Sequence, residues 1–171
     1  MESTGAHHRI ALSVVNLVGG HKPRRLVLGF MIAGALLSMW ISNTASILML
    51  MPVALAVLAS CSDRNSLAAP LLLGLAWSCS IGGLGTPIGT PPNLILVQVY
   101  EENTAQTISF GQWMSWGMPV VLTLLPLAWW WVTRAVPREL DIQVPAVGPW
   151  RSAERRVLVV FGLTAVAWIT R

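Results

Sequence analysis

The sequence predicts an all-α membrane protein built around a re-entrant helical hairpin and a discontinuous transmembrane helix. Three observations predict it. Of its 171 residues, 54% are hydrophobic and only 11% charged, where soluble domains carry about 25% charged residues. The apolar residues form long uncharged runs rather than an amphipathic period, the mark of segments whose solvent is lipid. Two of those runs are too long for a single crossing, and each is interrupted in its middle by residues that break helices.

The formal net charge of +4 and the high pI do not point to nucleic acid. The basic residues sit in the polar gaps between apolar runs, where they set topology, rather than on one face. Cys61 and Cys79 have neither CxxC spacing nor a nearby ligand set and read as apolar packing. His7, His8 and His21 fall in or beside polar segments and read as interfacial. No His, Asp, Glu or Cys cluster lies in the apolar runs to act as acid, base or nucleophile, so the sequence does not read as an enzyme.

Residues 1–25 are predicted as an interfacial amphipathic helix over 6–18, followed by the basic cluster Lys22, Arg24 and Arg25. The helix is too short and too charged to span a bilayer. From Leu26 to Ser60 no residue is charged. As one helix this run would extend about 52 Å, far beyond the hydrocarbon thickness of about 30 Å. Ser42, Asn43 and Thr44 lie at its middle, and their side chains compete for backbone hydrogen bonds. A break there leaves two arms, one ending near Ile41 and one starting near Ala45, each about 24 Å long. A hairpin over 26–60 that enters and leaves by the same side fits these lengths.

Charge tests that topology. If residues 26–60 return to their starting face, then Lys22, Arg24, Arg25 and Arg64 share one side. The run from Leu67 to Tyr100 then crosses to a loop holding Glu101 and Glu102. The run from Phe110 to Thr133 crosses back to Arg134, Arg138, Arg151, Arg155 and Arg156. Loops 61–66 and 134–156 are thereby placed in the cytoplasm and loop 101–109 outside, as the positive-inside rule requires for an inner membrane. A single crossing over 26–60 would put the arginine-rich loop outside.

Segment 61–133 supplies the discontinuous and spanning helices. Gly82, Gly83, Gly85 and Gly89 alternate with Pro87, Pro91 and Pro92, a stretch that cannot remain regular helix. Irregular backbone at membrane depth survives only where protein buries it or it lines a cavity. One half-helix is predicted from about Ala68 to Ile81, the other from about Asn93 to Tyr100. Residues 110–133 form an ordinary span with Trp113, Trp116, Trp129, Trp130 and Trp131 near its ends as interfacial anchors. Residues 134–156 read as a cytoplasmic linker. Residues 157–171 read as the start of a further transmembrane helix, because Val157–Thr170 rises only about 21 Å.

Two broken membrane segments with small polar residues at each break point to a transporter site. A break frees carbonyls at one half's C-terminus, which suit a hard cation. It also frees N–H groups at the next half's N-terminus, which suit an anion. At the hairpin tip the Ser42 hydroxyl and the Asn43 amide oxygen, with Ser38 one turn back on the same face, make an all-oxygen set suited to Na⁺. Asn43 and Thr44 can donate to a carboxylate. The Gly89-Thr90 break adds a carbonyl and a hydroxyl. Neither break holds Lys or Arg, so a bound anion must be balanced by helix N-termini, hydroxyls and the cation itself.

The segment Ser38-Met39-Trp40-Ile41-Ser42-Asn43-Thr44-Ala45 resembles the first Ser-Asn-Thr signature of the divalent anion/sodium symporter (DASS) family, within the ion transporter superfamily. Gly85-Thr86-Pro87-Ile88-Gly89-Thr90-Pro91-Pro92-Asn93 resembles that family's broken-helix loop, and the segments across 5–133 look similar as well. The resemblance implies part of an inverted-repeat, elevator-type transporter, homodimeric in its full-length form. It implies sodium-coupled symport of di- or tricarboxylates such as succinate, malate or citrate. Carried onto matching positions, it implies Na⁺ ligation by Ser38, Ser42, Asn43 and Gly89, and substrate contacts from Asn43, Thr44 and Thr90. The alternatives left open are sodium-independent anion exchange, transport of sulfate or another inorganic anion, and a non-transporting membrane scaffold. The family's second Ser-Asn-Thr signature has no counterpart in this sequence, which is expected to be the N-terminal repeat, carrying about half of a binding site.

Overall fold

The computed structural model describes residues 22–137 together with 159, 160, 162–164, 166 and 167. The amphipathic stretch over 6–18, most of the 134–156 linker and most of the run after 157 lie outside the described residues. Within residues 22–137 lie five α-helices: α1 (Pro23–Ser38), α2 (Asn43–Ala59), α3 (Arg64–Gly82), α4 (Pro91–Thr104) and α5 (Phe110–Thr133), with a 3₁₀ turn at Gly83–Gly85. Two helical segments, Arg64–Gly85 and Phe110–Thr133, are long and apolar enough to cross a membrane, and Asn43–Ala59 is a shorter apolar helix.

Local chemistry sets the helix ends. Pro23 opens α1 in its first turn, where its missing N–H costs nothing. The Ser42 hydroxyl accepts from Ala45 N at 3.3 Å and caps α2. Asp63 caps α3 by accepting from Ser66 N at 3.3 Å and from the Ser66 hydroxyl at 2.7 Å. This exposed carboxyl is held below its usual range, first by the Ser66 hydroxyl and then by the Ser66 N–H. Ser109 caps α5 through Gln112 N at 3.2 Å. At the end of α4, Ala105 adopts φ 53°, the left-handed closure common at helix C-termini.

The glycines of α1 and α3 fix how those helices lie. A Cβ built on Gly74 would meet Val27 Cγ1 and Met31 Sδ at 3.1 Å. One on Gly34 would meet Ser78 Oγ at 2.7 Å, and Gly82 abuts the Ala35 backbone. Residue numbers rise together along both helices, so α1 and α3 run parallel in direct contact, and α2 returns antiparallel to them, to the end where both begin. Helix α5 runs against them: Trp113 Nε1 donates to Leu84 O at 3.0 Å near the break, while Trp129 Nε1 donates to Arg24 O at 2.8 Å at the opposite end. Arg24 also donates to the carbonyls of Arg134 and Val136 beyond the end of α5, a site where cations are favoured.

One core joins α1, α2 and α3. Leu26, Val27, Phe30, Leu50, Val57, Leu67, Leu71 and Leu75 are all buried within it. Outside that core lie large exposed apolar side chains, among them Leu48, Ile95, Leu122, Leu127 and Trp130. A soluble surface would not tolerate so many of them, whereas a bilayer covers them.

Candidate functional site

The hairpin tip and the broken helix meet. Helix α1 ends at Ser38, three residues before the expected end near Ile41, and the turn occupies Met39–Ser42. The physical reason is that Ser, Asn and Thr open helices better than they close them. Ser42 is therefore the cap of α2, and Asn43 and Thr44 lie within its first turn.

Ser38 is fully buried at the end of α1. Its Oγ lies 2.5 Å from Asn43 Oδ1 and 2.6 Å from the carbonyl oxygen of Cys79 on α3. A serine hydroxyl has one proton and can donate to only one of these acceptors at a time. Three oxygens from three helices thus crowd together around a single proton. An arrangement with surplus lone pairs suits a hard cation, which binds oxygens without needing their hydrogens.

The broken segment presses against this cluster. A Cβ on Gly83 would sit 2.5 Å from Asn43 Oδ1, and a Cβ on Gly89 would sit 2.5 Å from the carbonyl oxygen of Gly83. Only glycine permits either approach. Asn93, nearly buried at the start of α4, donates through Nδ2 to the carbonyls of Gly83 and Thr86 at 2.8 Å each and closes the loop on itself. The fully buried Thr86 hydroxyl donates to the carbonyl of Met39 in the hairpin turn, tying the two breaks together. Trp40 beside the tip stacks on Phe110 of α5 with ring centroids 6.0 Å apart.

Of the six residues singled out in the sequence, Ser38 and Asn43 come into contact, and Gly89 packs on the Gly83 that touches Asn43. Ser42 spends its hydroxyl on the helix cap and is exposed. Thr44 is exposed and Thr90 is half-buried; neither side chain hydrogen-bonds to the oxygen cluster. The half-helices also extend beyond the expected limits, starting at Arg64 and ending at Thr104. Asp63 and Pro91 supply the cap and first-turn signals for the earlier starts. The roles of Thr86, Asn93, Gly83 and the Cys79 carbonyl went unread, although Asn93 was visible as the lone amide closing the Gly/Pro stretch.

A separate cavity of about 340 Å³ lies among Leu84, Leu96, Ile108, Trp113, Trp116 and Val120. Its apolar lining offers nothing to neutralise a carboxylate.

The sequence matches the family described as citrate transporter over residues 1–171. It is 34% identical over 192 aligned residues to a protein named sodium-dependent dicarboxylate transporter from Staphylococcus saprophyticus. It is 32% identical over the same length to a protein of that name from Staphylococcus aureus. In both cases 100% of this chain is covered, but the chain spans only 37% of the relative's length.

Proposed function

The chain belongs to the citrate transporter family, and with it to the divalent anion/sodium symporters, and from that premise we propose that it forms one repeat of a secondary active transporter. The full-length protein couples movement of a di- or tricarboxylate across the membrane to Na⁺. Relatives named as sodium-dependent dicarboxylate transporters support both the substrate class and the driving ion.

The observation that carries this reading is the oxygen cluster of Ser38, Asn43 and Cys79, surplus in lone pairs and locked against the broken helix. Na⁺ sits there, held by Ser38, Asn43 and the adjoining backbone of Ser42 and Gly89. The carboxylate lies on the outer side of the tip, toward Asn43, Thr44 and Thr90. Because Asn43 borders both ligands, filling the cation site prepares the anion site. The parallel course of α1 and α3 supports a re-entrant hairpin over 26–60, since it returns the chain to its starting face. The grouping of Lys22, Arg24, Arg25, Arg64 and Arg134 at one end supports a cytoplasmic position for that end in an inner membrane. Helices 61–133 then move with the hairpin as the substrate-carrying body. The full-length protein works as a homodimer of elevator type.

Uptake of radiolabelled succinate by the full-length protein in proteoliposomes, in sodium against choline medium, tests this. Uptake should require Na⁺, and Asn43→Ala should abolish it. Sodium-independent uptake would favour anion exchange, wild-type uptake by the Asn43 variant would overturn the role of Asn43, and no uptake by the wild-type protein would favour a scaffold.

A further inference from the structure

Ser46 lies on the inward face of α2 in line with Leu50, Val53 and Val57, and it is fully buried. Among the described residues, its Oγ is the buried side-chain nitrogen or oxygen without a hydrogen-bond partner. Leaving a buried hydroxyl unsatisfied costs about 1–3 kcal/mol. A serine on a helix has a ready remedy, because it can rotate to donate to a carbonyl three or four residues back. Other hydroxyls here take it. Ser78 donates to Leu75 O at 2.8 Å, Thr123 to Pro119 O at 2.9 Å and Thr133 to Trp129 O at 2.7 Å. Ser46 does not, and its oxygen is left facing the interior.

The direction matters. Residues three apart on a helix are neighbours, and each Cα–Cβ bond tilts toward the helix N-terminus. Ser46 therefore leans toward Asn43 and the crowded oxygens of Ser38 and Cys79. We propose that the Ser46 hydroxyl is a further oxygen ligand of the small monovalent cation held at the tip, and that it sets cation affinity without touching the carboxylate. This deepens the function proposed above and rests on it. A cation satisfies the orphaned hydroxyl and the proton-poor cluster together, through lone pairs alone. One water adds two protons but leaves the cluster's crowding in place.

The test uses purified full-length protein, with thermal stability followed as NaCl replaces choline chloride. Wild type should show a saturable sodium-dependent stabilisation that Asn43→Ala abolishes. Ser46→Ala should need about tenfold more sodium for half the effect, the scale expected from losing one contact to a charged group. Its stability in choline should stay level or rise, because an unsatisfied hydroxyl is gone. Ser46→Cys keeps the shape but offers a soft sulfur, a poor Na⁺ ligand, and should shift the midpoint likewise. Ser46→Thr should restore it. At saturating sodium, the succinate concentration for half-maximal uptake should be unchanged in all three. A wild-type sodium midpoint in both Ser46→Ala and Ser46→Cys overturns the role of Ser46 and leaves the cation site standing. No sodium response in wild type, or one retained by Asn43→Ala, overturns the cation site and the Ser46 proposal with it.

Discussion

Replacing Gly83 by alanine separates the cation site from the stability of the fold. The added methyl would stand 2.5 Å from Asn43 Oδ1 and 3.3 Å from Asn43 Cγ and Nδ2. An ordinary carbon–oxygen contact is about 3.5 Å, so the amide must withdraw by about 1 Å. It can do so by rotating a side chain, which keeps the backbone in place. The same amide oxygen lies 2.5 Å from Ser38 Oγ, so withdrawal dismantles the oxygen cluster. Loss of one contact to a charged group costs about 1.5–3 kcal/mol, which is about a tenfold to hundredfold rise in the sodium concentration for half-maximal uptake. The assay is sodium-dependent succinate uptake by full-length protein, with thermal stability in choline as the folding control. Gly74→Ala is the matched comparison, since its methyl would press on Val27 and the flexible Met31 thioether, far from the tip. That variant should keep the wild-type sodium midpoint. An unchanged midpoint in Gly83→Ala would refute the assignment of Asn43 Oδ1 to the cation.

Three further outcomes follow from the same contacts. Asn93→Ala leaves the carbonyls of Gly83 and Thr86 without their donor, so thermal denaturation should reveal a loss of about 2–4 kcal/mol. Thr86→Val is nearly isosteric but strips the hydroxyl that donates to Met39 O. It should cost about 1–2 kcal/mol and lower uptake at every sodium concentration, without the selective midpoint shift of Gly83→Ala. Asp63 has its carboxyl pKa lowered by Ser66, so its contribution is present above the unfolded value near 3.9 and is lost as pH falls through the lower folded value. Melts between pH 3 and 6 should therefore show Asp63→Asn less acid-sensitive than wild type at the bottom of that range, with no difference in slope above pH 5.

The order of helices and breaks was legible because it depends on lengths and on helix-breaking residues. An uncharged run of about 52 Å exceeds one crossing, and the structure divides it between α1 and α2. The end of α1 was misplaced because Ser42-Asn43-Thr44 reads equally as a break and as a helix start. The side chains decide for the start, and the turn falls just before them. Contacts within the site were less legible. Nothing local in Thr86 says that its hydroxyl will meet Met39, and nothing in Asn93 says which carbonyls it will hold. Those partners are brought together by the parallel packing of α1 on α3, which near the break depends on the close approaches at Gly34 and Gly82.

In the transporter proposed above, that packing would let a cation and an anion report on each other without a lysine or arginine at either break. Ser38 belongs to α1, Asn43 to α2 and the Cys79 carbonyl to α3, so a cation bound among them joins three helices at one point. Thr86 fastens the hairpin turn to the broken segment, and Asn93 fastens that segment to the first turn of α4. The starts of α2 and α4 are therefore held in fixed relation to the oxygen cluster. Each carries about half a positive charge, enough to favour an anion but not to hold a dianion alone. In the proposed transporter the cation would supply the remaining charge from a position the hydrogen-bonded breaks already set. On that proposal, removing it would both weaken the local field and free Asn43 to turn away, so the carboxylate would lose charge and geometry in one step.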